Sequence, residues 1–235
     1  MTFSMKRALA IFQKDLKDLS KNMYIGSTVL IVILLAALYG RMGEVPLEMH
    51  YLVINFVFAM VTAFIQCAII AEEKEKNTLR SLMLSPASMN DIIFGKSLVT
   101  FVVTILTVVL CAWLTGYQPA DILPIAFALI LSTLFYIALG TILGLLSKSV
   151  MEASVIILPV VFIFGFGSFL MSYVEEYSFL AFVEYLPSVQ LIELAYEVEE
   201  GLGFGDLWFH LFIIALWVIG SAILTIIMYK KREMD

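Results

Sequence analysis

The sequence predicts an all-α integral membrane protein with six transmembrane helices and both termini on the same side of the membrane. Of its 235 residues, 62% are hydrophobic and 14% are charged, whereas a soluble domain is about half apolar and about a quarter charged. A transmembrane helix needs about 20 mostly apolar residues. Runs of this kind lie at residues 23–40, 51–71, 92–116, 122–146, 151–172 and 206–229, and the fifth is interrupted by Pro159 and by Gly165-Phe166-Gly167.

The placement of basic residues predicts the orientation of these spans. With six spans, 13 of the 14 Lys and Arg residues lie on one side, and only Arg41 lies on the other. Cytoplasmic loops carry an excess of Lys and Arg. We therefore expect both termini in the cytoplasm.

The first 21 residues are predicted to form an amphipathic helix in the headgroup layer, ahead of a six-span domain at 22–235. Apolar side chains recur at steps of four and three residues, which places them on one face: Met5, Leu9, Phe12, Leu16 and Leu19. Lysines fall mainly elsewhere, where they meet anionic lipid. The alternative is a solvated N-terminal helix with no membrane contact.

The loop between the second and third spans, residues 72–91, is the most informative segment outside the spans. It opens with alternating charges and continues with Leu79, Leu82 and Met83 at helical spacing. A short helix is predicted to end before Pro86, because the residue before proline disfavours the helical conformation. An apolar ridge framed by charge is typical of a docking element for a soluble partner. The alternative is an amphipathic turn that rests on the membrane.

The third span has a predicted start signal. Ser88 is followed three residues later by Asp91, which is the spacing of a capping box, although Glu or Gln is the more usual partner.

The same loop resembles that of the type-2 ABC exporter permeases. The residues that carry the resemblance are EEKEKNTLRSLMLSP at 72–86, followed by an apolar helix that opens with Gly95-Lys96. Asn77 stands where the family usually has glycine, a mild departure because Asn tolerates left-handed geometry. The resemblance extends over the whole chain, from the amphipathic N-terminal helix to the long outer segment before the last span.

The resemblance implies a fold, a location, partners and a set of contact residues. It implies the type-2 exporter permease fold in the bacterial cytoplasmic membrane, a second permease subunit in a homo- or heterodimer, and docking on a nucleotide-binding ATPase. The coupling contacts are then Thr78, Leu79, Arg80, Leu82 and Met83.

The residues themselves predict no enzyme in this chain. It has no phosphate-binding loop of the Gly-x-x-x-x-Gly-Lys-Ser/Thr type, so ATP and Mg²⁺ are expected on the partner subunit. We predict no catalytic residue, bound cofactor, metal site or nucleic-acid contact. Cys67 and Cys111 lie within apolar runs and are expected to be packing residues.

The outer segment, residues 173–205, contains several glutamates and no Lys or Arg. The apolar stretches at 179–183 and 185–186, interrupted by Pro187, predict two short helices that dip partway into the membrane, as in family members. Irregular backbone at that depth must pack on protein or line a wet cavity.

Polar side chains mark faces of the spans that avoid lipid. Asn55, Thr62 and Gln66 lie within about 20° of one line on an α-helix, and we assign them to a translocation path or dimer seam. A second stripe is interpreted as hydrogen-bonding between helices: Ser97, Thr100, Thr104, Thr107 and Cys111. Gly140 and Gly144 predict close helix packing. No span carries a central ionised residue, which argues against a proton-driven transporter.

Together these features predict the permease subunit of an ATP-driven exporter for an amphipathic peptide, lipid-like or drug-like cargo. One alternative is an immunity or sensor membrane protein that sequesters a toxin without transporting it. A less favoured alternative is a membrane-embedded lipid-modifying enzyme, which needs an Asp/His/Glu constellation that this chain lacks.

Overall fold

The computed structural model describes residues 3–76, 88–174 and 176–234, without the side chains of Met89 and of residues 231–234. These parts contain α-, π- and 3₁₀-helices and no strand. The helices are α1 (Met5–Lys21), α2 (Met23–Gly40), α3 (Leu47–Glu75), α4 (Met89–Thr115), α5 (Ile122–Leu146), α6 (Val150–Gly165), α7 (Gly167–Met171), a 3₁₀-helix (Ser178–Tyr185), α8 (Pro187–Glu199) and α9 (Trp208–Met234).

Helix α3 is the centre of the bundle. In its most apolar 18-residue stretch 89% of the residues are buried, against 17% for α2, which lies at the periphery. A π-helical stretch, Val57–Ala63, interrupts the α-helical geometry of α3. Such stretches insert an extra residue into a turn and often lie at functional sites.

Two glycines on α5 set its distance from α3, as predicted. A Cβ atom added at Gly140 would lie against the carbonyl oxygen of Ala63 and 2.9 Å from the Cβ of Gln66. One added at Gly144 would lie 2.7 Å from the carbonyl oxygen of Cys67. Small residues let two helix backbones approach closely where lipid supplies no hydrophobic drive for association.

The span predicted at 151–172 is interrupted in the structure. Five helices among the described residues are long and apolar enough to cross a membrane, namely α2, α3, α4, α5 and α9. Helix α6 is shorter because it ends at Gly165, after which Phe166 leaves the helical conformation. A Cβ at Gly165 would meet the ring of Phe56 at 3.1 Å, so a neighbouring helix lies close at this point. The prediction of six spans therefore stays a prediction.

The outer segment forms two short helices, as predicted. The 3₁₀-helix and α8 meet at an angle of 66° beside Pro187. His210 at the start of α9 lies 2.8 Å from Gln190 Oε1 and 3.1 Å from Glu197 Oε2, and so ties α8 to the bundle. A re-entrant path for this segment through the membrane stays a prediction.

Candidate functional site

The predicted coupling contacts lie outside the described residues, but both flanks of that segment are described. Thr78, Leu79, Arg80, Leu82 and Met83 fall within the gap at 77–87. The preceding flank is the end of α3, residues 72–76, and the following flank is the start of α4, residues 88–96. We call these flanks, α1 and the α5–α6 turn at 145–150 the charged end of the bundle.

A buried ion cluster joins the two flanks to α1. Lys96 on α4 is fully buried, and its Nζ atom lies 3.0 Å from Asp15 Oδ2 and 3.1 Å from Glu73 Oε1. Asp15 belongs to α1 and Glu73 to α3, and both are 4% exposed. Buried charges are tolerated only when they are paired and hydrogen-bonded. This cluster therefore holds three helices in one arrangement.

Lys14 completes the cluster from its half-exposed edge. Its Nζ atom bonds Glu73 and lies 3.3 Å from Asp15 Oδ1. Two lysines and two carboxylates make the cluster electrically neutral. Burial lowers the pKa of Lys14, but the hydrogen bonds and negative charges of Glu73 and Asp15 outweigh this, so its pKa lies above the ordinary lysine value. Lys14 is therefore charged at neutral pH.

The start of α4 is fixed by a second buried carboxylate. Asp91 and Ser88 form the predicted capping box, with Asp91 Oδ2 accepting from the Ser88 amide at 2.8 Å. The same carboxylate accepts from the Ser4 amide at 2.7 Å and pairs with Arg7 Nε at 2.8 Å. Since Ser4 and Arg7 belong to the N-terminal segment, one side chain both caps α4 and anchors α1.

Gly95 allows α1 to lie directly on α4. A Cβ atom at this position would come within 2.6 Å of the Ala8 carbonyl oxygen and 2.9 Å of the Ile11 Cβ atom. The Gly95-Lys96 pair at the opening of the third span thus has a structural reason. Gly95 has no side chain and so allows α1 to pack against α4, and Lys96 then pairs with Asp15 of α1.

The face of α1 that meets the bundle differs from the predicted apolar face. Ala8, Ile11 and Asp15 are buried, whereas three members of the predicted stripe are exposed: Met5, Leu9 and Leu16. On α1, the exposed apolar face is therefore a different face from the one that packs on the bundle, and the two are adjacent. Placement of α1 in the headgroup layer stays a prediction.

The α3 flank also holds the α5–α6 turn. Lys74 Nζ donates to the Leu145 carbonyl oxygen at 2.6 Å and to that of Ser147, at the end of α5. Glu75 Oε2 accepts from the Val150 amide at 2.9 Å, at the start of α6. These side chains satisfy helix-terminal groups with charges of the favourable sign. Three consecutive charged residues at the end of α3 thus bind different elements. Glu73 binds Lys96 of α4, Lys74 binds the end of α5, and Glu75 binds the start of α6.

Asp91 provides a test of how α1 is attached. In Asp91→Ala we expect backbone amide hydrogens of residues 5–21 to exchange about tenfold faster, because α1 loses its bonds from Ser4 and Arg7. The matched control is Asp121→Ala, which removes a helix cap whose described bond is only to the nearby Leu123 amide. Unchanged exchange in α1 of Asp91→Ala would show that the carboxylate does not anchor it. Hydrogen exchange with mass spectrometry measures both.

The residues assigned to a path or dimer seam are buried within the chain. Thr62 Oγ1 lies 2.9 Å from Thr104 Oγ1. Gln66 accepts from Thr100 and donates to Thr141, at 2.6 and 2.9 Å. Asn55 donates to the Ser188 carbonyl oxygen at 3.3 Å. Thr62 Oγ1 also donates to the Val57 carbonyl oxygen of its own helix at 3.3 Å. The role of these three residues in a path or seam stays a prediction.

Two of the five residues in the stripe on α4 form hydrogen bonds to another helix, as interpreted from the sequence. Thr100 and Thr104 bond Gln66 and Thr62 of α3, while Thr107 bonds its own backbone. Sequence reasoning missed Asp15, Glu73 and Lys96 as one cluster. The sequence feature that could have revealed the cluster is Lys96, because a lysine within an apolar run usually pairs with another polar or charged group.

Comparison with protein families identifies the chain. Residues 49–229 match the family model described as ABC-2 family transporter protein, from the first turn of α3 into the last turns of α9. A search of curated proteins gave no match. The matched region is more than half of the chain and covers four of the five described helices that are long and apolar enough to span a membrane, because α2 lies before it. The chain is therefore a multi-pass membrane protein, a transport permease that belongs to the ABC-2 family of transporter proteins.

Proposed function

We propose that this chain is the membrane-spanning subunit of an ATP-driven exporter, with ATP and Mg²⁺ held by a separate ATPase subunit. The observation that supports it best is the attachment of both flanks of residues 77–87. Buried ion pairs and hydrogen bonds join these flanks to α1, α3, α4 and the α5–α6 turn. A force applied at 77–87 therefore acts on four elements at once.

The mechanism follows from this attachment. The ATPase binds at Leu79, Leu82 and the neighbouring contact residues, and its closure on ATP displaces the segment. Because Asp15, Glu73 and Lys96 are buried, sliding one helix past another would leave a buried charge unpaired. The charged end consequently moves as a unit, and the spans rotate with it. Two permease subunits, identical or different, enclose the path that opens outward.

The cargo class is proposed from the lipid-like character of the spans. Their side chains are mostly Leu, Ile, Val and Phe. Thr62 and Gln66 of α3 are hydrogen-bonded to Thr104 and Thr100 of α4. Such a lining suits an amphipathic peptide, a lipid-like molecule or a drug-like molecule better than a hydrophilic solute.

Partner binding is tested by charged substitutions in the coupling segment. We expect Leu79→Asp and Leu82→Asp to abolish co-purification of an ATPase from the native membrane in mild detergent, because a carboxylate opposes burial of the apolar ridge. The matched control is Leu202→Asp, an exposed leucine in the outer segment, which retains the partner. Mass spectrometry and ATP hydrolysis in the eluate are the readouts.

Two outcomes would contradict the proposal. Normal ATPase binding by both variants would show that the docking assignment is wrong. The second outcome is a well-folded wild-type complex, reconstituted in vesicles, that binds its cargo but does not move it across the membrane. That result would favour the alternative in which the protein sequesters a toxin.

A further inference from the structure

A charged cavity opens where α1 turns into α2. It has a volume of about 480 Å³ and is lined by Asp18, Lys21, Asn22, Met23, Glu72 and Lys76. A smaller pocket of about 90 Å³ shares three of these residues and leads toward the buried ion cluster. The cavity thus lies between the N-terminal helix and the end of α3.

The charges in this cavity are only partly neutralised by one another. Lys76 pairs with Glu72, one turn away on the same element. Asp18 is about half exposed, and its described ion pair, with Lys14, is long at 4.0 Å. Lys21 has no acidic partner within 4.0 Å among the described residues. A carboxylate and an ammonium thus remain available in one cavity, which suits a ligand that carries both a positive and a negative group.

The bilayer side of the cavity is apolar. Met23 and Tyr24, the first residues of α2, are 89% and 52% exposed. Only Ile25, Val32 and Ala36 of α2 are buried, so an exposed apolar helix leads away from the cavity. The Asn22 side chain accepts from the Tyr24 and Ile25 amides, and the first amides of α2 are therefore already occupied. An anion in the cavity must rely on the lysines.

We propose that this cavity binds the head group of a phospholipid that carries a primary ammonium and a phosphate, as phosphatidylethanolamine does. The ammonium donates hydrogen bonds to Asp18, the phosphate accepts from Lys21, and the acyl chains lie along α2 from Met23, while the Glu72–Lys76 pair lines the cavity. The site is independent of the proposed transport function.

The head-group chemistry distinguishes this lipid from two others. Phosphatidylcholine has the same charges, but its quaternary ammonium has no N–H donor for the carboxylates. Phosphatidylglycerol has a phosphate and no cation, so it offers no positive group to Asp18. Both are therefore expected to bind more weakly.

The test is native mass spectrometry of the full chain in detergent, titrated with the three lipids of identical acyl composition. We expect about fivefold more phosphatidylethanolamine to be retained than either other lipid, a preference typical of one favourable exposed ion pair. Asp18→Asn is expected to remove the preference over phosphatidylcholine. Lys21→Gln is expected to lower retention of both lipids. The matched control is Lys17→Gln, on the exposed side of α1, which behaves as wild type.

Three outcomes overturn the proposal. The first is equal retention of all three lipids by the wild-type chain. The second is an unchanged preference in Asp18→Asn and Lys21→Gln variants whose thermal unfolding matches wild type. The third is displacement of the bound lipid by an equal concentration of soluble phosphoethanolamine, because the apolar contact along α2 then contributes nothing.

Discussion

Replacing Lys96 by Met is expected to destabilise the folded protein by about 3 to 5 kcal/mol, because it leaves two buried carboxylates without their shared cation. Lys96 is fully buried between Asp15 and Glu73. The half-exposed Lys14 reaches the same carboxylates, but it belongs to α1 and cannot hold α4 in place. Unfolding in mixed detergent micelles, followed by tryptophan fluorescence, measures the change.

Two further variants separate loss of the ion cluster from loss of a lysine. Lys17→Met, on the exposed side of α1, is expected to change the free energy of unfolding by less than about 0.5 kcal/mol. The triple variant Asp15→Leu, Glu73→Met and Lys96→Met is expected to recover most of the stability, because apolar side chains replace buried charges at little cost. A Lys96→Met protein as stable as Lys17→Met would refute a stabilising role for the cluster.

The triple variant also tests the role of the cluster in coupling. If the ion pairs make the charged end move as a unit, the triple variant folds and binds the ATPase, but its transport rate falls. A triple variant with normal stability and normal transport would show that packing alone transmits the movement. In either case the stability measurement and the transport measurement give separate answers.

Gly140→Leu is expected to be the second severe substitution, destabilising the protein by about 3 kcal/mol or more. The added Cβ would meet the Ala63 carbonyl oxygen and the Gln66 Cβ atom, so α5 and α3 must separate. Overpacking of a tight core forces backbone shifts of this cost. Separation also stretches the bond from Gln66 to Thr141. The same unfolding assay and the yield of monodisperse protein are the measurements.

Gly220→Leu is the matched control for this prediction. Gly220 lies within α9, and a Cβ atom there would meet nothing within 4 Å. Leucine also has the higher helix propensity, by about 0.8 kcal/mol, so this variant is expected to be as stable as wild type or slightly more stable. Equal destabilisation in the two variants would mean that the backbone approach at Gly140 does not limit packing.

Local patterns in the sequence predicted the local structure well. The helix at the N-terminus, the Ser88–Asp91 capping box and the small face of α5 depend on residues a few positions apart. Composition and the spacing of apolar runs likewise predicted the all-helical membrane class, because a bilayer permits few other solutions. The family match confirms the permease assignment over residues 49–229.

Tertiary packing decided the features that depend on distant residues. The sequence indicated the interruption of the fifth span at Gly165-Phe166-Gly167, but not that Gly165 lies against Phe56, a residue of another helix. Asn55, Thr62 and Gln66 share a face by spacing, yet α3 is surrounded by protein, so position on one face does not tell which neighbour each one meets.

The sequence by itself therefore determined that the chain is a helical membrane protein and where the helix caps and small faces lie, whereas the side of the membrane that holds the basic residues stays a prediction. Only the tertiary structure decided that Lys96 pairs with Asp15, 81 positions away, and with Glu73, 23 positions away. The physical reason is that a charge in an apolar run reveals a need for a partner, whereas the identity of that partner depends on which helices pack together.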